Sequence, residues 1–132
     1  MIVDTSAIVA VVLDETHADP IVEILSSTTD LKMSAATAVE LNAVLTRRLR
    51  PEDQRRVERL LDVWEIEVVS FDAAQAGIAS RAYRDFGRGS GHPAALNLGD
   101  CYSYALAVVT GEPLLFVGDD FVHTDVAAAY RP

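Results

Sequence analysis

The stretch Met1-Ile-Val-Asp-Thr-Ser-Ala7 decides the fold of this chain. Three apolar residues precede a carboxylate and two hydroxyls, and a longer apolar run follows them. The pattern predicts a very short buried strand, a turn at Asp4, and a helix that begins near Thr5 or Ser6, where a hydroxyl can cap the first turn. Asp4 then lies outside the carboxyl end of a strand, where open α/β sheets keep their ligand sites.

Short apolar strands alternate with helical patterns along the rest of the chain. Further strands are predicted at 31–34, 66–71 and 114–117. Helices are predicted at 35–49, 51–64, 73–86 and 99–109, with another beginning near Pro20. This alternation is typical of a parallel sheet covered by helices on both faces. We therefore predict one α/β domain over residues 1–132.

Length and composition indicate a globular protein with a real core. Hydrophobic residues make up 50% of the 132 residues, and no apolar run approaches the roughly 20 residues of a membrane span. The first residues lack the basic segment of a secretory signal. Cys101 is the single cysteine, so an internal disulfide is impossible. These features lead us to expect a cytoplasmic protein.

The chain is strongly acidic, with a formal net charge of −9 at pH 7. This balance excludes a passive nucleic-acid coat, which needs a basic surface. It does not exclude a nuclease, because carboxylates can hold divalent metal ions that then face the phosphate. The acidic surface also favours a basic partner.

Acidic residues follow the carboxyl ends of the predicted strands. Asp4 follows the first strand, and Glu40 lies in the helix after the second strand, among apolar residues where an unpaired carboxylate is costly. Asp100 opens the helix after the glycine-rich loop, and Asp119 or Asp120 follows the last strand. Since the carboxyl ends of parallel strands share one edge of a sheet, we expect these side chains to converge.

Converging carboxylates predict a site for a divalent cation. An all-oxygen ligand set suits Mg²⁺ or Mn²⁺ with several waters retained. An ion held in this way lowers the pKa of a bound water and neutralises charge on a phosphate, so the natural chemistry is hydrolysis of a phosphodiester.

Each of these residues also has a purely structural interpretation. Asp4 and Asp100 could each be helix caps, or Asp4 an ordinary turn residue. Glu40 could be a buried residue paired with an arginine. Asp119 and Asp120 could be ordinary turn residues. The hydroxyls beside Asp4 could be helix caps, or one of them could help to hold a metal-bound water; these two secondary candidates are Thr5 and Ser6.

Four segments together resemble a known family. They are the opening stretch 1–7, Ala38-Val39-Glu40, residues 92–101 with Asn97-Leu-Gly-Asp-Cys101, and residues 114–125 with Gly118-Asp-Asp-Phe121. In this order and spacing they resemble the PIN-domain ribonucleases, and more narrowly the VapC toxins of bacterial type II toxin–antitoxin pairs. The resemblance implies a three-layer α/β/α sandwich with a central, mainly parallel sheet. It also implies a Mg²⁺- or Mn²⁺-dependent endoribonuclease.

The resemblance implies roles for the acidic residues. Asp4, Glu40 and Asp100 match the family's principal catalytic acids. Asp4 and Asp100 would be metal ligands, and Glu40 would bind metal or position the attacking water. A glycine occupies the place where many members have a fourth acid. Asp119 and Asp120 are its nearest substitutes, and Asp120 is preferred because the form Gly-x-Asp-Phe recurs in this group.

The resemblance also implies partners. These are a second copy of the chain in a homodimer, an RNA substrate, and a cognate VapB antitoxin whose tail covers the acidic pocket with a basic side chain. RNA would be held by local positive charge, for which the candidates are Arg47, Arg48, Arg81, Arg84 and Arg88. The alternative is a catalytically inactive PIN fold that binds RNA or protein, and the intact acidic trio argues against it.

Overall fold

The computed structural model describes residues 1–131, whose backbone forms short strands and longer helices. The strands are β1 (Ile2–Val3), β2 (Lys32–Ser34), β3 (Glu67–Val69) and β4 (Leu114–Leu115). The helices are α1 (Thr5–Val12), α2 (Ala18–Ser27), α3 (Ala35–Arg48), α4 (Pro51–Val63), α5 (Ala73–Phe86) and α6 (Leu98–Thr110). Among these residues no helix is both long and apolar enough to cross a membrane. The domain predicted over residues 1–132 extends to Pro132, which lies outside the described residues.

The strands form one parallel sheet in the order β3-β2-β1-β4. Ile2 is in register with Lys32 on one side and with Leu114 on the other, so β1 is a central strand. The predicted parallel sheet is confirmed, although its strands are shorter than predicted. The last strand ends early because the backbone N–H of Val117 donates to the Ser6 hydroxyl at 3.1 Å instead of to a neighbouring strand.

Helices cover both faces of the sheet, because successive strand residues point to opposite sides. Ile2 and Leu114 are buried in the cluster formed with α5 and α6. Their neighbours Val3 and Leu115 are buried in the cluster formed with α1–α4. The predicted three-layer α/β/α sandwich is therefore confirmed.

Two strands pass directly into helices without an intervening loop. Ser34 ends β2 and caps α3 by accepting from Ala36 N at 3.3 Å. Asp4 follows β1 and caps α1 through the Ser6 N–H. The expectation that Thr5 or Ser6 caps this helix was wrong, because the preceding carboxylate already occupies the cap position. Both helices therefore begin at the carboxyl edge of the sheet, where their first turns can contribute to a site.

We expect Leu115→Ala to destabilise the fold strongly. Leu115 is 0% exposed, and removing its side chain leaves a cavity between the sheet and α1–α4. Such a change lowers the free energy of unfolding by about 2–5 kcal/mol. The control Val109→Ala alters a residue that is 47% exposed and should change stability by less than about 1 kcal/mol. Urea denaturation measures both; equal effects would contradict this assignment of the core.

Candidate active site

Asp4 is held in a fixed orientation at the end of β1, where it is 3% exposed. Ser6 donates its backbone N–H and its hydroxyl to Asp4 Oδ2 at 2.9 and 2.7 Å. From α6, the Ser103 hydroxyl donates to Asp4 Oδ1 at 2.6 Å. These donors stabilise a carboxylate that is almost completely removed from solvent.

Glu40 is half-buried on α3 and faces the first turn of α6. Its Oε2 accepts a hydrogen bond from the Thr5 hydroxyl at 3.1 Å. A Cβ atom added to Gly99 would collide with the Glu40 carboxylate, so the glycine makes room for it. Among residues 1–131, none of the ion pairs involves Glu40. The alternative of a structural pair with an arginine was therefore wrong.

Asp100 is 8% exposed in the first turn of α6. Asn97 is the N-cap of this helix, and its side-chain oxygen accepts from Asp100 N at 3.0 Å. In return, Asp100 Oδ2 accepts from Asn97 N at 2.6 Å, which completes a capping box. The helix therefore begins one residue earlier than predicted, and Asp100 is its third residue and not its N-cap.

The acidic pair after β4 lies at the rim of the site, where both residues are exposed. The charge of Asp120 acts on Asp100, and the charge of Asp4 acts on Asp120. Asp119 instead lines a neighbouring cavity of about 190 Å³ together with His17 and Tyr130. Of the two residues, Asp120 is therefore the one that is electrostatically coupled to Asp4 and Asp100.

Burial and mutual repulsion raise the pKa of three of the carboxyl groups, those of Asp100, Glu40 and Asp120. Burial raises the pKa of Asp100 to about 7, and the charges of Asp4, Asp120 and Glu40 add to the effect, while a hydrogen bond from the Asn97 backbone opposes it. Burial and then repulsion from Asp4 raise the pKa of Glu40. Partial loss of solvation raises the pKa of Asp120. The raised pKa values show that nearby positive charge does not compensate the carboxylates, and a bound cation could supply that charge.

The predicted RNA-binding arginines do not all lie at this site. Arg88 lies within electrostatic range of Asp120, whose pKa it lowers. Arg84 is exposed and pairs with Asp85, with 2.7 Å between Nε and Oδ1, and Arg81 also acts on Asp85. The other two, Arg47 and Arg48, lie in the last turn of α3, whereas Glu40 lies nearer its start.

Two fully buried hydroxyls beneath the site were missed from the sequence. They belong to Ser103, three residues after Asp100, and Thr37, three residues before Glu40. Residues three apart share a face of a helix. This spacing is the signal that could have identified both hydroxyls.

The donor set fits Mg²⁺ or Mn²⁺, because it consists of carboxylate and hydroxyl oxygens. Within residues 1–131, no three His, Cys, Asp or Glu side chains are close enough to form a complete ligand set. Mg²⁺ commonly takes one or two carboxylates and keeps several waters. Asp4 and Asp100 can supply two such carboxylates, with Glu40 and Asp120 within electrostatic range of them.

A family model described as PIN domain matches residues 1–127. The chain therefore belongs to the PIN-domain family. Ribonuclease VapC42 of Mycobacterium tuberculosis is 61% identical over 129 residues, which cover 98% of each protein. Within the PIN-domain family, the chain belongs to the VapC ribonucleases.

Solved structures agree with this fold. The chain is similar to VapC20 of Mycobacterium tuberculosis, described as a sarcin-ricin loop cleaving toxin, with a TM-score of 0.75 and 16% identity over 99% of this chain and 98% of that one. It is also similar to a chain of VapBC2 from Rickettsia felis bound to a promoter DNA fragment, with a TM-score of 0.72 and 12% identity over 96% and 94% of the two chains. At these identities the similarity confirms the PIN fold.

The raised pKa of Asp100 predicts that stability depends on pH. The ordinary value is 3.8 and the folded value about 7, so the folded state binds more protons between these two pH values. The free energy of unfolding therefore falls as pH rises from about 4 to about 7. In Asp100→Asn this fall should be smaller. Urea denaturation in EDTA across this pH range measures the free energy of unfolding of both proteins. If the difference in this free energy between wild type and variant did not change with pH, the raised pKa of Asp100 would be contradicted.

Proposed function

We propose that this protein is a divalent-metal-dependent endoribonuclease, the toxin of a VapBC type II toxin–antitoxin pair. The proposal rests on one observation: the buried carboxylate of Asp4 lies at the carboxyl edge of the parallel sheet within electrostatic range of the carboxyl groups of Asp100, Glu40 and Asp120. Membership of the VapC ribonucleases supports the choice of RNA as the substrate.

In the proposed reaction, Asp4 and Asp100 hold Mg²⁺ or Mn²⁺ through carboxylate oxygens. Such an ion, when bound, activates water and neutralises charge on the phosphate that is attacked. Ser6 and Ser103 hold the Asp4 carboxylate, so it requires little reorganisation.

Glu40 is the group that orients the attacking water and accepts its proton. Thr5 binds Oε2, so Oε1 remains available for this task. The raised pKa of Glu40 makes the carboxylate a better proton acceptor than an exposed glutamate. At the rim, Asp120 is the fourth acid, and Arg88 receives a backbone phosphate of the RNA.

We further propose that the protein is a cytoplasmic homodimer in which residues 1–132 of each copy form one PIN domain. Its cognate VapB-type antitoxin inserts a basic side chain into the carboxylate cluster. The net charge of −9 supports a basic partner, and the structurally similar VapBC2 from Rickettsia felis supports an antitoxin of this class. The remaining arginines named above extend the RNA surface from Arg88.

Asp4→Asn and Asp100→Asn should each abolish most RNA cleavage. Each change removes a negatively charged ligand of the proposed metal ion. Because such an ion stabilises the transition state by several kcal/mol, the cleavage rate should fall by about a hundredfold or more. Cleavage of total RNA is measured with Mg²⁺, Mn²⁺ or EDTA. The control Asp62→Asn alters an exposed carboxylate on α4 and should leave cleavage unchanged.

The result distinguishes the enzyme from the inactive binding module. Discrete cuts that need metal and disappear in both site variants support the nuclease. Cutting in EDTA, or undiminished cutting by the variants, contradicts the proposed site. Failure of the wild-type protein to cut its host's own RNA favours the binding module.

Gly99→Ala should reduce cleavage without unfolding the protein. Its Cβ would displace the Glu40 carboxylate, and partial loss of a general base lowers the rate by about tenfold or more. Alanine in place of a helical glycine favours the fold by about 0.5–1 kcal/mol. In the control Gly77→Ala, the added Cβ meets only Arg81 at an ordinary 3.6 Å. Cleavage assays and thermal melts measure both; a Gly99→Ala variant with wild-type cleavage would contradict the role of Glu40.

A further inference from the structure

A buried hydroxyl pair, formed by Thr37 and Ser103, lies beneath the carboxylate cluster. Both residues are 0% exposed. Their hydroxyl oxygens are 3.1 Å apart, although 66 residues separate them in the chain. Ser103 also donates to Asp4 Oδ1 at 2.6 Å. The pair therefore connects α3, which carries Glu40, directly with α6, which carries Asp100, and Ser103 links the pair to the carboxylate of Asp4.

The direction of these hydrogen bonds follows from counting protons. A serine hydroxyl has a single hydrogen to donate, and Ser103 donates it to the carboxylate of Asp4. Thr37 must then donate to the Ser103 oxygen. The order is Thr37 to Ser103 to Asp4, and each bond polarises the next one, which strengthens the bond to the carboxylate.

Counting acceptors distinguishes the two oxygens of Asp4. Each carboxylate oxygen offers about two lone pairs. Oδ2 accepts the N–H and the hydroxyl of Ser6, which uses both lone pairs. Among the described residues, Oδ1 accepts from Ser103 alone. The free lone pair of Asp4 is therefore on the oxygen to which Ser103 is bonded.

We propose that Ser103, supported by Thr37, is a positioning residue that directs the free lone pair of Asp4 Oδ1 toward a divalent cation. This inference rests on the proposed metal-dependent function. Ser103 acts through Asp4 and needs no contact with the cation or the RNA. Without its hydroxyl, Asp4 is fixed only through Oδ2, and the orientation of Oδ1 becomes less defined.

The test is a titration with Mn²⁺ in the absence of RNA. Binding is measured by calorimetry and by the paramagnetic resonance signal of the bound ion. Ser103→Ala should weaken Mn²⁺ binding by about tenfold or more, as loss of a group that orients a metal ligand typically does. Ser103→Thr keeps the hydroxyl and should restore binding. The control Ser80→Ala alters an exposed helical serine that donates to Ala76 O and should bind Mn²⁺ as the wild type does.

Thr37→Val tests whether the two hydroxyls act in series. Valine keeps the shape of threonine but cannot donate, so Mn²⁺ binding should weaken by a smaller factor than in Ser103→Ala. In the Ser103→Ala background the same change should add no further loss, because Thr37 acts through Ser103. If Ser103→Ala does not fold, Thr37→Val decides the question.

A purely structural role gives a different result. The variants would then melt at lower temperature, while the folded protein kept its wild-type Mn²⁺ affinity, and that outcome overturns the inference. If the wild type binds Mn²⁺ and Asp4→Asn does not, unchanged affinity in Ser103→Ala overturns this inference alone. If the wild type itself binds no Mn²⁺, the proposed function fails together with the inference.

Discussion

The pairing of β1 with strands on both sides is the constraint on which the rest of the site depends. Because Ile2 and Val3 are each buried under helices on opposite faces, the chain can become polar only where this strand ends, at Asp4. That carboxylate lies in the interior and must be supplied with donors. Ser6 supplies two from the adjoining helix, and Ser103 supplies one from a helix about a hundred positions further along. Asp4 therefore obtains all of these donors only when α6 packs against the sheet.

The same constraint brings carboxyl groups together in an electrostatically unfavourable arrangement. Burial and repulsion raise the pKa of Asp100 to about 7 and shift that of Glu40 in the same direction. Within the described residues, none of the ion pairs involves either carboxylate. A divalent metal and a basic side chain of an antitoxin would relieve the same repulsion. Under the proposed function, the ion and the antitoxin would therefore compete for one negative field.

The sequence predicted what depends on local pattern and on strand ends. Alternating strands and helices indicated the parallel sheet. The positions after strands selected Asp4 and, in the following helix, Glu40, whereas Asp100 was selected because it opens the helix after the glycine-rich loop. The pattern did not reveal contacts between distant parts of the chain. Thr5 and Ser6 looked like helix caps, but their hydroxyls bond to Glu40 and Val117, which lie 35 and 111 residues away. The buried hydroxyl pair was missed for the same reason, since a polar residue within a helix usually faces solvent. Between the adjacent acids after β4, the family resemblance preferred Asp120, and the coordinates add the physical difference that Asp120 is electrostatically coupled to Asp4 and Asp100.

An acidic protein that cuts RNA must attract a polyanion locally while repelling it at long range. Arg88 is suited to this task because its position is fixed by the backbone: its N–H donates to Leu96 O at 2.9 Å, and Leu96 N donates to Phe86 O at 2.9 Å. It therefore lies on a braced loop within electrostatic range of Asp120, whereas Arg84 is exposed and forms an ion pair with Asp85. Long-range repulsion disfavours loose, sequence-independent association. Under the proposed function, productive binding would then require an RNA whose shape brings its phosphates onto the rim and the proposed cation together, so the net charge of −9 would itself contribute to selectivity.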